Sequence, residues 1–199
     1  MRISPIRMKT RHPIKDSAML TKHRIRSKIL LRLKTQKEDD RDRKARVIER
    51  KLLRQEVFKK AKTVMFYIAF GGEVDTKSMI KIAKKLGKII AVPICRKDKI
   101  RLKPCLLDDH AHLRKGPYGV LEPVVEKHIG LEELDVVVVP GVAFDKDGNR
   151  LGRGQGCYDR FLNELPRDTA TFGLAFDFQI LPSLPIHAHD VGVHKVLFA

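Results

Sequence analysis

The segment LDVVVVPGVAFDKDGNRLGRGQGCYDRFL, residues 134–162, passes from four consecutive valines into a loop rich in bare backbone and charge. Three glycines, two arginines, a tyrosine and an aspartate stand within residues 152–161. Residues 134–140 carry the strongest strand signal in the chain, an apolar run without polar alternation, as suits a strand buried on both faces. Beyond the Pro-Gly pair, Gly152, Gly154 and Gly156 can adopt positive φ and turn backbone N–H groups toward an anion, a nest for phosphate. Tyr158 and Asp159 open a predicted helix running to about Leu165, whose N-terminus adds to that field. Arg150 and Arg153 supply charge-assisted donors, and Asp159 is the natural carboxylate for Mg²⁺ in a basic pocket. The plainer alternative is a glycine-rich surface turn with solvated arginines. GRGQG lacks both the closing Gly-Lys-Ser/Thr of a P-loop and the GxGxxG spacing with a ribose acid downstream. The residues alone leave an ATP site and a dinucleotide site both open.

Working outward, residues 16–36 read as a helix capped by Asp16 or Ser17, with Leu20, Ile25, Ile29, Leu30 and Leu33 as its apolar stripe. A second helix is expected over residues 39–61. TVMFYIAF (63–70) reads as a buried strand ending at Gly71-Gly72. A helix capped by Asp75 or Thr76 follows, closed by Gly87. KIIAVPI (88–94) is the next strand, then comes a less regular middle section, a strand at 171–176, and KVLF (195–198) closing the sheet. Apolar strands alternating with helices predict an α/β fold: a three-layer, mostly parallel sheet with helices on both faces, Rossmann-like, plus basic N-terminal helices. In such a sheet ligands bind outside the carboxyl ends of the strands, where the glycine loop falls. Residues 20–199 are expected to form one domain, and residues 1–19 a disordered basic extension.

The length of 199 residues suits that single domain. No run of 18 apolar residues exists to cross a membrane, and the basic N-terminus lacks the apolar block of a secretory signal. Cys95, Cys105 and Cys157 form no CxxC pair, which favours a reducing, cytoplasmic setting. The close histidine pairs His110/His112 and His187/His189 lack the i, i+4 spacing of a helical zinc site and read as ordinary surface histidines. The net charge of +17 is uneven. Residues 1–62 hold 22 Lys and Arg against 7 Asp and Glu, a balance of +15; the remaining 19 and 17 leave +2. A polyanion such as RNA fits that pattern. The basic residues are not interleaved with aromatics for base stacking, however, so nucleic acid is the weaker partner.

PGVAFDKDGNRLGRGQGCYDRFL resembles the signature of the 5-formyltetrahydrofolate cyclo-ligase family, roughly P-G-x-A/G-F-D-x-x-G-x-R-L-G-x-G-x-G-Y-Y-D. KHRIR in the first helix, FYIAFGGEVDT, GKIIAVP and GPYGVLEP fall in the family's order, so the resemblance covers about residues 20–199. It implies an ATP- and Mg²⁺-dependent enzyme, expected to be monomeric. Such an enzyme converts the reduced folate 5-formyltetrahydrofolate to 5,10-methenyltetrahydrofolate, with release of ADP and phosphate. By the same resemblance Lys22 and Arg26 match an N-terminal ATP-contacting pair. Arg150, Leu151, Gly152, Arg153, Gly154, Gln155, Gly156, Cys157 and Tyr158 match the phosphate-cradling loop, with Arg153 and Tyr158 as catalytic residues. Ile68 and Glu73 match folate-contacting positions, Glu73 accepting from pterin N–H donors. Asp159 and Asp190 match metal ligands.

The chain departs from the pattern at Cys157, where a tyrosine is usual, at His194, where an acid is common, and at Gln155, where lysine or glycine is frequent. Without the resemblance, Lys22 and Arg26 read as a solvated helix face, Glu73 as part of a turn, and Asp190 as a backbone-bonding residue. Two other readings remain: a member with a weakened site that binds RNA through its basic third, and a different nucleotide-binding α/β enzyme.

Overall fold

A computed structural model describes residues 14–96, 101–108, 112–116 and 119–199, with side chains from Thr21 onward except those of Cys95 and Arg96. Most of the expected extension, and His110, lie outside the described residues. The chain runs through helices α1 (Ile14–Thr35), α2 (Glu38–Leu53) and α3 (Glu56–Lys60), strand β1 (Thr63–Met65) and helix α4 (Lys77–Lys85). Strands β2 (Ile89–Arg96), β3 (Arg101–Leu106), β4 (Leu113–Lys115), β5 (Leu121–Pro123), β6 (Val136–Val139), β7 (Ala143–Asp145) and β8 (Arg150–Leu151) follow. The chain ends in helix α5 (Cys157–Glu164) and strands β9 (Ala170–Ala175), β10 (Ile180–Leu181) and β11 (Lys195–Phe198).

Six strands form the main sheet in the order β11-β9-β6-β1-β2-β3. All pair in parallel except β3, which runs antiparallel to β2 at the edge. The four valines of β6 show why its sequence does not alternate. Val136 and Val138 pack into one core with Leu33, Ile48, Leu52 and Met79 from α1, α2 and α4. Val137 and Val139 face the other core, with Phe161 and Leu162 of α5. Both faces are dry, so every position is apolar, each valine contributing about 1.5–3 kcal/mol of burial.

Four sequence expectations change. The single helix expected over 39–61 breaks at Gln55, which is extended (φ −69°, ψ 127°). The short α3 beyond it turns Phe58 into the core, edge-on to Phe66 at 6.4 Å. The strand expected over 63–70 ends at Met65. Beyond Phe66, whose N–H still bonds Ala91 O, the chain is held by side chains: Thr76 Oγ1 donates to Tyr67 O (2.6 Å) and Tyr67 Oη to Val74 O (2.8 Å). Thr76 is therefore spent on that loop, and Asp75 Oδ1 accepts the Lys77 N–H at the start of α4. The expected helix start at Asp16 or Ser17 lies inside α1, which begins at Ile14.

Beyond β6 the chain builds a second, three-stranded sheet, β10-β7-β8, that no sequence signal announces. Buried Asp145 organises it, accepting from the backbone N–H of Asp147, Asn149 and Leu184 and from Asn149 Nδ2 at 2.9–3.1 Å. Gly148, at φ +83°, closes the β7–β8 turn, where a Cβ would stand 2.3 Å from Val193 O. The hairpin aims the arginine-rich loop across the carboxyl ends of β1 and β6.

Candidate active site

A cavity of about 360 Å³ opens at this edge, within the range of small-molecule sites. One wall is apolar, with Tyr67, Ile68, Pro93, Leu102 and Val120; the other is the 150–159 loop. Of the expected site residues, Ile68, Glu73, Arg150, Gly152, Arg153, Gln155, Gly156, Cys157, Tyr158 and Asp159 line it.

The glycines act in two ways. Gly154 (φ +110°) and Gly156 (φ +63°) adopt the expected positive φ, and Gly156 precedes the first turn of α5. Gly152 is not among the positive-φ glycines. Its bareness serves close approach: a Cβ there would lie 2.9 Å from Arg150 Nη1, and its carbonyl accepts Arg26 Nε at 2.8 Å. Leu151 turns its side chain away into a small core with Ala143 and Leu184, so only its backbone belongs to the loop.

Each strongly charged site residue is held by a particular partner, two of them far away in sequence. Arg153 donates from Nη2 to Glu73 Oε1 at 2.9 Å and lies 4.1 Å over the Phe70 ring. Burial pushes the Glu73 carboxyl up, and Arg153, with the Phe70 N–H, pulls only partly back. Arg150, almost fully buried, donates to Asp159 Oδ1 at 2.7 Å, and that same oxygen accepts the Val191 N–H at 3.3 Å. Arg150 also sits 5.6 Å from the Tyr158 ring, which meets Phe161 edge-on. Lys22, buried on α1, donates to Asp190 Oδ2 at 2.5 Å, and that oxygen also accepts the His187 N–H at 2.6 Å. Burial works to raise the Asp190 carboxyl, but Lys22 and the His187 N–H together carry it below its ordinary value. Lys22 and Asp190 thus stand beside the loop as a joined pair. The carboxylates of Asp159 and Asp190 are hard oxygen donors of the kind Mg²⁺ takes, and both Asp159 hydrogen bonds fall on one oxygen.

Sequence reasoning missed Tyr67, Phe70 and Glu122. Glu122 is buried against the backbone, since a Cβ on Gly116 would meet its carboxyl carbon at 2.4 Å. The segment GPYGVLEP carried the signal, without pointing to the acid. Cys157 lines the cavity at the first position of α5. His194 stands away from this cluster, accepting the Thr171 N–H at Nδ1 (3.0 Å) between β9 and β11.

A basic, glycine-rich loop facing a cavity with one apolar wall, at the carboxyl edge of a mostly parallel sheet, is the arrangement of an α/β enzyme. Comparison with known proteins carries this to a family. The profile of the 5-formyltetrahydrofolate cyclo-ligase family matches residues 18–199, and the chain belongs to that family. A mouse 5-formyltetrahydrofolate cyclo-ligase is 31% identical over 190 residues, covering 89% of this chain and 93% of its own length. The Escherichia coli K12 cyclo-ligase is 32% identical over 69% of this chain and 78% of its own. The solved structure of the Aquifex aeolicus 5,10-methenyltetrahydrofolate synthetase superposes with a TM-score of 0.78 at 32% identity, covering 89% of each chain. Among the described residues, no helix is long and apolar enough to cross a membrane.

Proposed function

We propose that the chain converts 5-formyltetrahydrofolate and ATP to 5,10-methenyltetrahydrofolate, ADP and phosphate, with Mg²⁺ accompanying the nucleotide. The formyl oxygen attacks the γ-phosphorus and ADP leaves. The neighbouring folate nitrogen then attacks the activated carbon, loses its proton and expels phosphate. Such a path needs positioning and charge neutralisation more than covalent help from the protein.

The observation that carries the reading is Arg153. It reaches from the phosphate-binding loop to Glu73, the acid that would accept pterin N–H groups, and so touches both halves of the site. A phosphate group competes with Glu73 for that guanidinium. As ATP draws Arg153 away, the Glu73 carboxylate is released to the pterin. Arg150 and the 154–156 backbone cradle the remaining phosphates, Lys22 and Arg26 close over them from α1, and Tyr158 walls the reacting centre. Asp159 would hold Mg²⁺, which would supply charge neutralisation at the phosphate oxygens.

The test is the absorbance of the methenyl product when the protein meets 5-formyltetrahydrofolate, ATP and Mg²⁺. A rise that requires ATP and is lost in Asp159→Ala is expected. A rise without ATP, or undiminished in that variant, would sink the assignment.

A further inference from the structure

The tail segment HAHD, residues 187–190, brings together what its sequence spacing did not promise. His187, His189 and Asp190 each offer a ligand atom, and these atoms lie within 4.8 Å of one another. His189 Nε2 is 3.8 Å from Asp190 Oδ1, and the two imidazole centroids are 5.5 Å apart.

The turn beneath them is fixed from several sides. Asp190 N–H donates to His187 O (3.0 Å), and His187 N–H returns a bond to Asp190 Oδ2 (2.6 Å). Lys22 takes that same oxygen, and Val191 N–H ties the turn to Asp159. All of this leaves Asp190 Oδ1 facing His189. Both histidines are exposed, so their rings are free to rotate onto a shared ion. Bonds of about 2.1 Å place tetrahedral ligand atoms about 3.4 Å apart. The Oδ1–Nε2 pair therefore needs to close by only a few tenths of an ångström.

We infer that His187, His189 and Asp190 form a binding site for a divalent transition-metal ion, Zn²⁺ or Co²⁺ in class, rather than for Mg²⁺. Two imidazoles and one carboxylate oxygen are a borderline-soft donor set. Imidazole suits zinc and its neighbours, whereas Mg²⁺ demands oxygen ligands and gives up water reluctantly. Three protein ligands with an open position leave room for water or a phosphate oxygen. This reassigns Asp190, which the family resemblance matches to a ligand of the nucleotide's metal, and rests on the proposed reaction only for the nearby nucleotide. Asp159 then remains as the protein carboxylate for the Mg²⁺ of the nucleotide.

The experiment is calorimetric titration of the untagged full chain with Zn²⁺, paralleled by the visible absorption of Co²⁺. Wild type, His187→Ala and the control His112→Ala are compared in excess Mg²⁺. One ion per chain is expected in wild type and control despite the Mg²⁺, with affinity weakened at least about tenfold in His187→Ala, a scale on which even a supporting partner's loss is felt. Equal affinity in His187→Ala, no saturable binding in wild type, displacement by Mg²⁺, or a thiolate charge-transfer band from cysteine would each overturn the proposal. Because the readout is binding, a chain that holds zinc but fails the folate assay would fault the proposed reaction and leave this site standing.

Discussion

Strand β6 and the arginine-rich loop beyond it hold their side chains by different physics. The four valines of β6 are fully buried and need no particular partner, because burial of apolar area is non-directional. The site's charged groups, the exposed Arg153 among them, are instead each held against one atom in one direction. Arg153 depends on Glu73, Arg150 on Asp159 and Lys22 on Asp190. The core tolerates anything apolar of the right volume. The site tolerates only its own constellation, and any ligand must trade with bonds already made.

The largest effect should fall on the site. Arg153→Ala should lower kcat/KM about 10²–10³-fold, the scale of losing one preorganised donor to a developing charge, while its melting temperature shifts far less than that of a core variant. Leu52→Ala, fully buried between α2 and the sheet, should reverse the pattern. We expect about 3 kcal/mol lost in denaturant unfolding, with turnover of the folded fraction unchanged. If both variants lost stability equally, the contrast between the two regions would be false.

Substrate coupling sharpens the contrast further. If phosphate releases Glu73 from Arg153, a non-hydrolysable ATP analogue should tighten folate binding about tenfold, a coupling of about 1.4 kcal/mol. Arg153→Ala should abolish that coupling in isothermal titration.

The acid limb of the stability profile supplies a fourth check. Glu73 has its carboxyl raised in the folded state, so the native chain holds the proton more tightly and stability falls as pH rises from 4.5 through the folded value. Asp190 has its carboxyl lowered, so its contribution is present above 3.8 and is lost as pH falls below it. Thermal unfolding across this range should show a shallower acid limb in Asp190→Asn. In Glu73→Gln the rise in stability above pH 4.5 should become steeper. The smallest effect belongs to Arg43→Ala. Its pair with Asp40 is exposed on both sides, and unfolding should move by less than about 0.5 kcal/mol.

The same contrast decides what the sequence could tell. β6, β9, β11 and α4 were legible because periodicity and composition report burial directly. The α2–α3 break was hidden, since Gln55 is a good helix former and only Phe58's place in the core demands the turn. The β10-β7-β8 sheet was hidden because its keystone, Asp145, reads as a loop acid until its four donors are known. Ten of the residues the resemblance named line the cavity, but their pairing was not legible. Lys22 and Asp190, assigned separately to ATP and metal, bond each other across 168 positions. The turn at residues 187–190 was equally opaque, as helical i, i+4 spacing is only one way to bring imidazoles close.

That bond between α1 and the tail also has a consequence for the newborn chain. Lys22 leaves the ribosome early, and at about 5–20 residues per second the 168 positions to Asp190 take roughly 8 to 34 seconds to make. Throughout that interval α1 carries a basic face whose acidic partner does not yet exist. The edge strand β11, which pairs only with β9, is made later still. A chain halted before Asp190 therefore has most of its core and its cavity lining, but neither the partner of Lys22 nor the edge strand. Quality control that senses unpaired edges and bare lysines has a clear mark by which to know it.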